Sequence, residues 1–171
     1  HPSSPNDLYW INPRDEEPFL VDCFMGDGGF TKVFSHDVSG GYFIDETEVL
    51  ESNPTDPTAD LYSIFDYLDD FKSSDDYEFR LTWPLDSANF NHWSQSTNPI
   101  LNDVVQGYTG INVGCMDNLW RGLALSSSPT TYLDGTDAEN TWFSVGTMDD
   151  SRGGIPSGCL LMNSKVELWV R

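Results

Sequence analysis

Residues 9–34 read YWINPRDEEPFLVDCFMGDGGFTKVF, and this stretch decides the predicted fold. Two short apolar runs flank an acidic turn bounded by prolines, and a Gly-Asp-Gly-Gly turn leads into a third run. Short apolar runs between such breakers are typical of β-strands. The stretch therefore predicts three successive strands, with Asn12-Pro13 and Gly28-Gly29 marking the breaks between them.

The rest of the chain adds one predicted helix. Asp56-Pro57 has the form of a helix start, because Asp is a good N-cap and Pro suits the first helical position. The apolar residues that follow have helical spacing, namely Leu61, Ile64, Phe65, Leu68 and Phe71. This pattern predicts the main helix near residues 57–71.

Strand patterns dominate elsewhere. From Tyr77 to Trp83 the apolar residues recur with a period of two, which predicts a strand ending at Pro84. Residues 85–107 are polar and non-periodic, and we expect a long irregular stretch there. Further short strands are predicted at 108–113, 119–125, 132–133, 142–146 and 165–171.

These elements predict a fold of the α+β class. We expect residues 1–171 to form one strand-rich domain with antiparallel sheets, one main helix and long loops. Residues 1–7 are expected to be a loose N-terminal lead, and a start at His1 suggests a processed terminus. The final strand, residues 166–170, is expected to join a sheet near the N-terminal strands.

Charge is the most unusual bulk property. The chain has 28 acidic and 8 basic residues, giving a formal net charge of −20. Such a chain would repel nucleic acids and anionic membranes, so we expect neither to be a partner. No apolar run approaches the length of a membrane span, which excludes membrane insertion. The charge is compatible with binding divalent cations, minerals or basic partners.

Catalytic signatures are weak. The 3 histidines show no metal-ligand spacing, and neither Cys23 nor Cys115 has a local mark of a nucleophile. Carboxylate pairs occur at Asp69-Asp70, Asp75-Asp76 and Asp149-Asp150, but so acidic a composition produces such pairs without selection for chemistry. We therefore expect the protein not to be an enzyme.

Calcium is the cofactor that the sequence favours. Hard cations take six to eight oxygen ligands from carboxylates, amides and carbonyls in flexible loops. The segment from Asp134 to Asn140 offers the side chains of Asp134, Asp137, Glu139 and Asn140 together with a glycine. The alternative interpretation is an acidic hairpin loop that faces water.

Carbohydrate is the ligand class that the polar aromatic segments favour. Sugar sites combine an aromatic face for the apolar side of a pyranose with amides and carboxylates for its hydroxyl groups. The stretch 91–98 supplies His92, Trp93, Gln95 and Asn98, and Trp120 lies in a later segment that ends near a loop. Tryptophan is also a common core residue, so burial is the competing interpretation for Trp93 and Trp120.

The opening stretch resembles the start of fibrinogen-like domains, including the intelectin branch. The matching residues are Tyr9, Pro13, Pro18-Phe19, Val21 to Met25, the Asp27-Gly28-Gly29 turn and Phe30, where the family usually has tryptophan. The resemblance fades after Pro84, so no family pocket is carried over onto named residues. It implies an extracellular, lectin-like binding domain in an oligomeric or multidomain context.

Cysteine usage allows one internal disulfide. Cys115 and Cys159 both lie in the C-terminal half, and we expect them to pair. In fibrinogen-like domains the cysteine at the Cys23 position pairs with one before the tyrosine strand, and no cysteine precedes Tyr9 here. Cys23 is therefore expected to be free, intermolecular or paired outside this sequence.

Three functional hypotheses follow. The first is a secreted, non-enzymatic recognition domain that binds glycans or another extracellular-matrix component with the help of calcium. The second is an acidic structural matrix protein that binds mineral or cationic partners. The third is a hydrolase that uses a carboxylate pair across a cleft.

Overall fold

The computed structural model describes residues 4–72, 75–86, 88–116, 118–136, 143–151, 154–156, 159 and 162–171. The strands in chain order are β1 (Asp7–Ile11), β2 (Phe19–Phe24), β3 (Phe30–Asp37), β4 (Glu51–Ser52), β5 (Leu61–Ile64), β6 (Tyr77–Thr82), β7 (Phe90–Gln95), β8 (Thr109–Val113), β9 (Trp120–Leu125), β10 (Thr131–Thr136), β11 (Ser144–Thr147), β12 (Ile155–Pro156), β13 (Met162–Asn163) and β14 (Lys165–Val170). The helical segments are α1 (Glu46–Leu50) and three 3-10 segments at Gly26–Gly28, Val38–Gly40 and Phe65–Phe71. Within the described ranges, none of these helices has the length and apolar character that crossing a bilayer requires.

Nine of the described strands form one large antiparallel sheet. Its main path runs β1-β2-β3-β14-β6-β7-β8. β5 pairs with β3, and β4 pairs with β5. The last strand of the chain, β14, thus lies in the middle of the sheet between β3 and β6, and its residues Val166, Leu168 and Val170 are fully buried.

A smaller antiparallel sheet packs against the large one. It consists of β9, β10 and β11, while β12 pairs with β13. The indole of Trp93 on β7 meets the indole of Trp120 on β9 edge to face, with centroids 4.6 Å apart. Trp120 in turn meets the ring of Phe143 at 4.6 Å. These buried rings place the core between the two sheets.

Alternation along the strands selects the side chains that enter this core. On β6, Tyr77, Phe79 and Leu81 are buried, and Phe79 packs against the indole of Trp93 at 5.4 Å. Full burial of such a side chain contributes roughly 1.5–3 kcal/mol. The residues between them point to the opposite face of the large sheet.

The predicted α+β class is wrong, because the main helix near 57–71 does not form. Its first part is β5, and its second part is the 3-10 segment Phe65–Phe71. Backbone pairing of β5 with β3 and β4 replaces the helical hydrogen bonds. The Asp56 carboxylate accepts hydrogen bonds from the Thr58 amide at 3.0 Å and hydroxyl at 2.6 Å, so it closes a local turn. The described chain is mostly β.

Most predicted strands are confirmed. The three strands in residues 9–34 are β1, β2 and β3, and the strand predicted from Tyr77 is β6. The predicted C-terminal strand is β14, which pairs with β3 as expected. The stretch 85–107 was expected to be irregular, and it contains β7. Its strand pattern is obscured because the inward positions include the amides Asn91 and Gln95.

Two of the three cysteines form a disulfide, and the third is a free thiol. Cys115 and Cys159 form a disulfide with Cα atoms 5.2 Å apart, which closes a separation of 44 residues. Cys23 is a free, buried cysteine on β2. Burial raises the pKa of the Cys23 thiol, although a contact with the Thr31 hydroxyl at 3.9 Å partly opposes this. The thiol therefore stays neutral at physiological pH.

Candidate functional site

The face of the large sheet that points away from Trp93 combines cationic, acidic and aromatic side chains. Alternation on β6, β7 and β14 directs these residues outward, since the core takes every other position. We name this surface the outer face. Its members are Phe24, Phe30, Lys32, Glu78, Arg80, Phe90, His92, Glu167, Trp169 and Arg171.

Lys32 forms ion pairs with two carboxylates on one side of the outer face. Its side chain is only 8% exposed, and Nζ lies 2.8 Å from Asp22 Oδ2 and 3.7 Å from Glu167 Oε1. The ammonium group also lies 5.2 Å from the ring centroid of Trp169. A buried ammonium group requires such partners because desolvation penalises an unpaired charge. Lys165 approaches Glu167 at 3.7 Å as well, so Asp22 and Glu167 lie beside two lysines.

Glu78 binds two side chains on the other side of the outer face, those of Arg171 and His92. Its Oε1 accepts hydrogen bonds from Arg171 Nη2 at 2.5 Å and from His92 Nε2 at 2.6 Å. Burial opposes ionisation of Glu78, but these two hydrogen bonds outweigh it and lower the pKa of the carboxyl. The Arg171 guanidinium lies over the Phe30 ring at 4.7 Å, and the same ring meets His92 edge to face at 5.5 Å.

The glycine turn after β2 makes room for this cluster. Gly28 has a φ of 98°, and a Cβ atom built there would lie 2.0 Å from Nη1 of Arg171. Only glycine adopts that backbone conformation readily, and only glycine leaves space for the guanidinium. The Gly-Asp-Gly-Gly turn thereby leaves room for the Arg171 side chain on the outer face.

A cavity of about 230 Å³ opens on the outer face. Aromatic side chains provide much of its wall, and the polar groups come from neighbouring strands and the β6–β7 loop. The lining residues are Phe24, Phe30, Arg80, Thr82, Trp83, Pro84, Asn89, Phe90, Glu167 and Trp169.

Arg80 is the central cation of this cavity. Its guanidinium carbon lies 4.3 Å from the ring centroid of Phe90 and 5.4 Å from that of Phe24. Aromatic rings attract a cation through their electron-rich faces and hold the planar guanidinium in one orientation. Asn89 donates to both carboxylate oxygens of Asp86 at 3.0 and 2.9 Å, which braces the loop that completes the cavity.

Of the five predicted ligand residues, His92 is the one that lies on the outer face, with a side chain 16% exposed. Trp93 and Trp120 are fully buried where the sheets meet. A ligand cannot reach these indoles without opening the core. Trp93 and Trp120 are therefore core residues, in agreement with the competing interpretation of these two positions.

Gln95 and Asn98 are also internal. Gln95 is fully buried, and its Oε1 accepts hydrogen bonds from Trp93 Nε1 at 2.8 Å and from the Leu123 amide at 2.9 Å. Its Nε2 donates to the carbonyl oxygens of Thr97 and Leu123, both at 2.9 Å. Asn98 is 7% exposed and donates to Asp69 Oδ1 at 2.8 Å. Both amides connect parts of the fold.

The predicted calcium ligands fall mostly outside the described residues. Asp137, Glu139 and Asn140 lie in that outside part. Asp134 is described, and its Oδ1 accepts backbone hydrogen bonds from Gly135 at 2.7 Å and Phe143 at 3.1 Å. Within the described residues, no group of three or more His, Cys, Asp or Glu side chains is arranged to hold a metal ion.

Three of the six carboxylates in the candidate catalytic pairs have structural partners. Asp69 accepts hydrogen bonds from the Tyr77 hydroxyl and from Asn98. Asp70 pairs with Arg14 at 2.7 Å. Asp149 accepts hydrogen bonds from the amide and hydroxyl of Ser151 at 3.0 and 2.5 Å. These contacts give Asp69, Asp70 and Asp149 a role in the fold.

Apart from His92, the outer-face residues were not identified from the sequence, although one signal was present. Glu78, Arg80, Glu167 and Trp169 occupy the alternate positions of two strands whose apolar partners were recognised. Charged and aromatic residues at those positions indicate a functional sheet face only when the two strands are neighbours. β6 and β14 are neighbours in the sheet, but they are far apart in the chain, so the sequence does not show that they pair.

No protein-family model matches this chain, and no curated protein matches it in sequence.

Proposed function

We propose that this chain is a non-enzymatic recognition domain that binds carbohydrate in the cavity of the outer face. The observation that supports this proposal is the composition of the cavity wall, where Phe24, Phe90 and Trp169 lie beside Arg80 and Asn89. Aromatic rings suit the apolar side of a pyranose, and guanidinium and amide groups suit its oxygen atoms.

The size of the cavity favours a small ligand unit. Pockets for drug-sized molecules commonly enclose about 300–1,000 Å³. The volume of about 230 Å³ is below that range. It fits a single sugar ring, so we expect a terminal or side-branch residue of a glycan to be recognised.

A pair of tryptophan variants tests the site. Trp169→Ala removes a ring from the cavity wall, and Trp10→Ala removes an exposed ring on β1, where the side chain is 70% exposed. On a glycan array and by titration, Trp169→Ala should weaken binding at least about fivefold, because ring contacts contribute roughly 1–3 kcal/mol in recognition sites. Trp10→Ala should bind like the native chain. Absence of glycan binding by the native chain would refute the carbohydrate proposal.

Calcium assistance is the second part of the proposal. It rests on the oxygen-rich segment from Asp134 to Asn140. Running the same array with a chelator tests it, and Asp134→Asn provides a variant that keeps the side-chain shape. Equal glycan binding with and without chelator would refute calcium assistance and leave the carbohydrate proposal standing.

Extracellular secretion belongs to the proposal as well. The Cys115–Cys159 disulfide supports it, because such bridges persist in oxidising compartments. The resemblance of residues 9–34 to fibrinogen-like domains supports the same location and an oligomeric or multidomain context. Size measurement of the full-length protein from its natural source, under non-reducing conditions, tests that context.

A second candidate function is an acidic matrix protein that binds mineral or cationic partners. The net charge of −20 favours it, since charge alone can drive adsorption without a pocket. Adsorption to a calcium mineral that is unchanged in Trp169→Ala, together with no glycan binding, would support this function over the first.

A further inference from the structure

The two edge strands of the large sheet differ in how they are guarded. β1 and β8 end its main path, so each has one side that no described strand pairs with. Prolines and charged side chains are common guards of such edges, because they oppose pairing with another chain. Residues 5–18, which include β1, contain three prolines and five charged residues. The β1 edge is therefore protected.

β8 lacks these guards. Residues 104–116, which include β8, contain neither a proline nor a charged residue. Four of the five residues of β8 are exposed, and Ile111 among them is 50% exposed. A register shift leaves Ile111 without a partner on β7, and such a bulge twists the strand but adds no charge. An exposed edge of this kind favours pairing with another strand.

The charge of the chain is unevenly distributed, and β8 lies in a nearly neutral part. Residues 87–133 contain β7, β8 and β9, and their three charged residues are Asp103, Asp117 and Arg121. This segment has a formal net charge of −1, whereas the whole chain has −20. The excess of acidic residues therefore comes from the other segments.

We propose that β8 is the surface at which two copies of this chain pair, antiparallel and related by a two-fold axis. Like charges repel, so a second copy of so acidic a chain approaches closely only through a surface with few acidic residues. β8 provides such a surface, whereas β1 is followed by Asp15, Glu16 and Glu17. A partner attracted by negative charge would contact the acidic segments instead.

Two-fold pairing also removes the unguarded edge from both copies. The free backbone groups of one β8 bond to those of the other, and the joined sheet then ends in a guarded β1 on each side. Pairing of β8 with β1 of another copy would give an open filament and would bring β8 against Asp7. A closed dimer is therefore the expected assembly.

Apolar side chains extend the contact beyond the backbone. Ile111 lies on β8 itself, and Val104, which is 59% exposed, lines the same cavity as Tyr108, the residue before β8. Burial of such side chains favours association. A contact built on one short strand is nevertheless smaller than the about 1,200–2,000 Å² that stable interfaces bury, so we expect a weak, reversible dimer.

Sedimentation velocity of the native chain, over about a hundredfold range of protein concentration, provides the first test. A monomer–dimer equilibrium should be observed. It should shift toward dimer at about 1 M NaCl, because the screening length falls from about 8 Å to about 3 Å and the repulsion between the copies weakens. A monomer at every concentration and salt would overturn the proposal. So would a dimer that dissociates as salt rises, or species that grow without limit.

A pair of lysine variants locates the contact. Ile111→Lys and Leu8→Lys each place one positive charge at an exposed aliphatic position of an edge strand, on β8 and on β1 respectively. Ile111→Lys should weaken dimerisation at least about tenfold, because the symmetric contact then contains two like charges and loses two apolar side chains. Leu8→Lys should dimerise like the native chain. Both variants change the net charge equally, so unchanged or stronger dimerisation of folded Ile111→Lys would overturn the proposal.

Amide hydrogen exchange distinguishes strand pairing from a contact of side chains alone. The amides of residues 109–113 that face away from β7 should exchange at least about fivefold more slowly in the dimer, because new backbone hydrogen bonds protect them. The amides of β1 should be unaffected. Dimerisation without slower exchange in β8 would overturn the proposal. β8 contributes none of the described residues that line the cavity of the outer face, so this outcome is independent of sugar binding.

Discussion

Replacing Gln95 by alanine examines how the two sheets are joined. Gln95 extends from β7, and its amide bonds to Trp93 within the large sheet and to both backbone groups of Leu123 on β9. The variant removes the amide and leaves two buried N–H donors without their acceptor, the indole of Trp93 and the amide of Leu123. It also opens space in the core.

The expected loss follows from those two donors. A buried donor left unsatisfied costs about 1–3 kcal/mol, so two of them give about 2–6 kcal/mol. Domains of this size are commonly stable by about 5–15 kcal/mol. We therefore expect Gln95→Ala to remove a large part of the free energy of unfolding and to unfold at a much lower urea concentration.

Urea denaturation followed by tryptophan fluorescence measures this loss, with the disulfide kept oxidised. Gln106→Ala is the matched control, because Gln106 is exposed and its change should alter stability by less than about 0.5 kcal/mol. Combining Gln95→Ala with Trp93→Phe removes one of the two orphaned donors. The second substitution should therefore destabilise the variant less than it destabilises the native chain. A loss below about 1 kcal/mol for Gln95→Ala, with an unchanged urea slope, would refute this reasoning.

Three other predictions concern the buried histidine, the disulfide and the glycine turn. Burial lowers the pKa of His36 below its ordinary value of 6.5, so the unfolded chain binds the proton first. The contribution of neutral His36 to the free energy of unfolding is fully present above about pH 6.5 and decreases as pH falls toward the pKa of the folded state. His36→Gln should therefore make the free energy of unfolding depend less on pH when it is measured between about pH 8 and pH 5. Removing the bridge in a Cys115→Ser, Cys159→Ser double variant should lower the free energy of unfolding by about 4 kcal/mol, and a loss within error would contradict the loop-closure argument. Gly28→Ala should lower the thermal midpoint more than Gly41→Ala, because both have positive φ but only the first Cβ would overlap another side chain. Equal shifts would show that backbone strain alone matters there.

Local patterns in the sequence predicted the strands well. Tyr77, Phe79 and Leu81 identified β6 because a strand presents every second side chain to the core. The Gly28-Gly29 turn was recognisable because both residues have the positive φ that glycine tolerates, 98° and 85°. In both places the physical cause lies within a few consecutive residues.

The same local reading failed for the helix. Apolar residues between Leu61 and Phe71 have helical spacing, yet β5 forms there because β3 and β4 offer backbone partners. An isolated helix of that length is marginal in water, so tertiary hydrogen bonds decide between the two structures. The sequence pattern does not contain those partners.

The candidate site shows the same division. Trp93 lies in a polar stretch, which suggested exposure, but the neighbouring amide Gln95 is polar because it bonds inside the core. The aromatic and cationic groups of the outer face come instead from β2, β3, β6, β7 and β14. Their proximity depends on strand order.

By itself, the sequence determined the acidic charge, most of the strand-forming segments and the glycine turn, because composition and short-range periodicity are properties of the chain. Tertiary structure alone decided that β14 lies between β3 and β6, and that Arg80 meets Phe24, Phe90 and Glu167 around one cavity. The physical reason is that sheet order depends on backbone pairing between distant segments. Side-chain alternation determines which residues of one strand share a face. Only the pairing between strands determines which residues of different strands become neighbours.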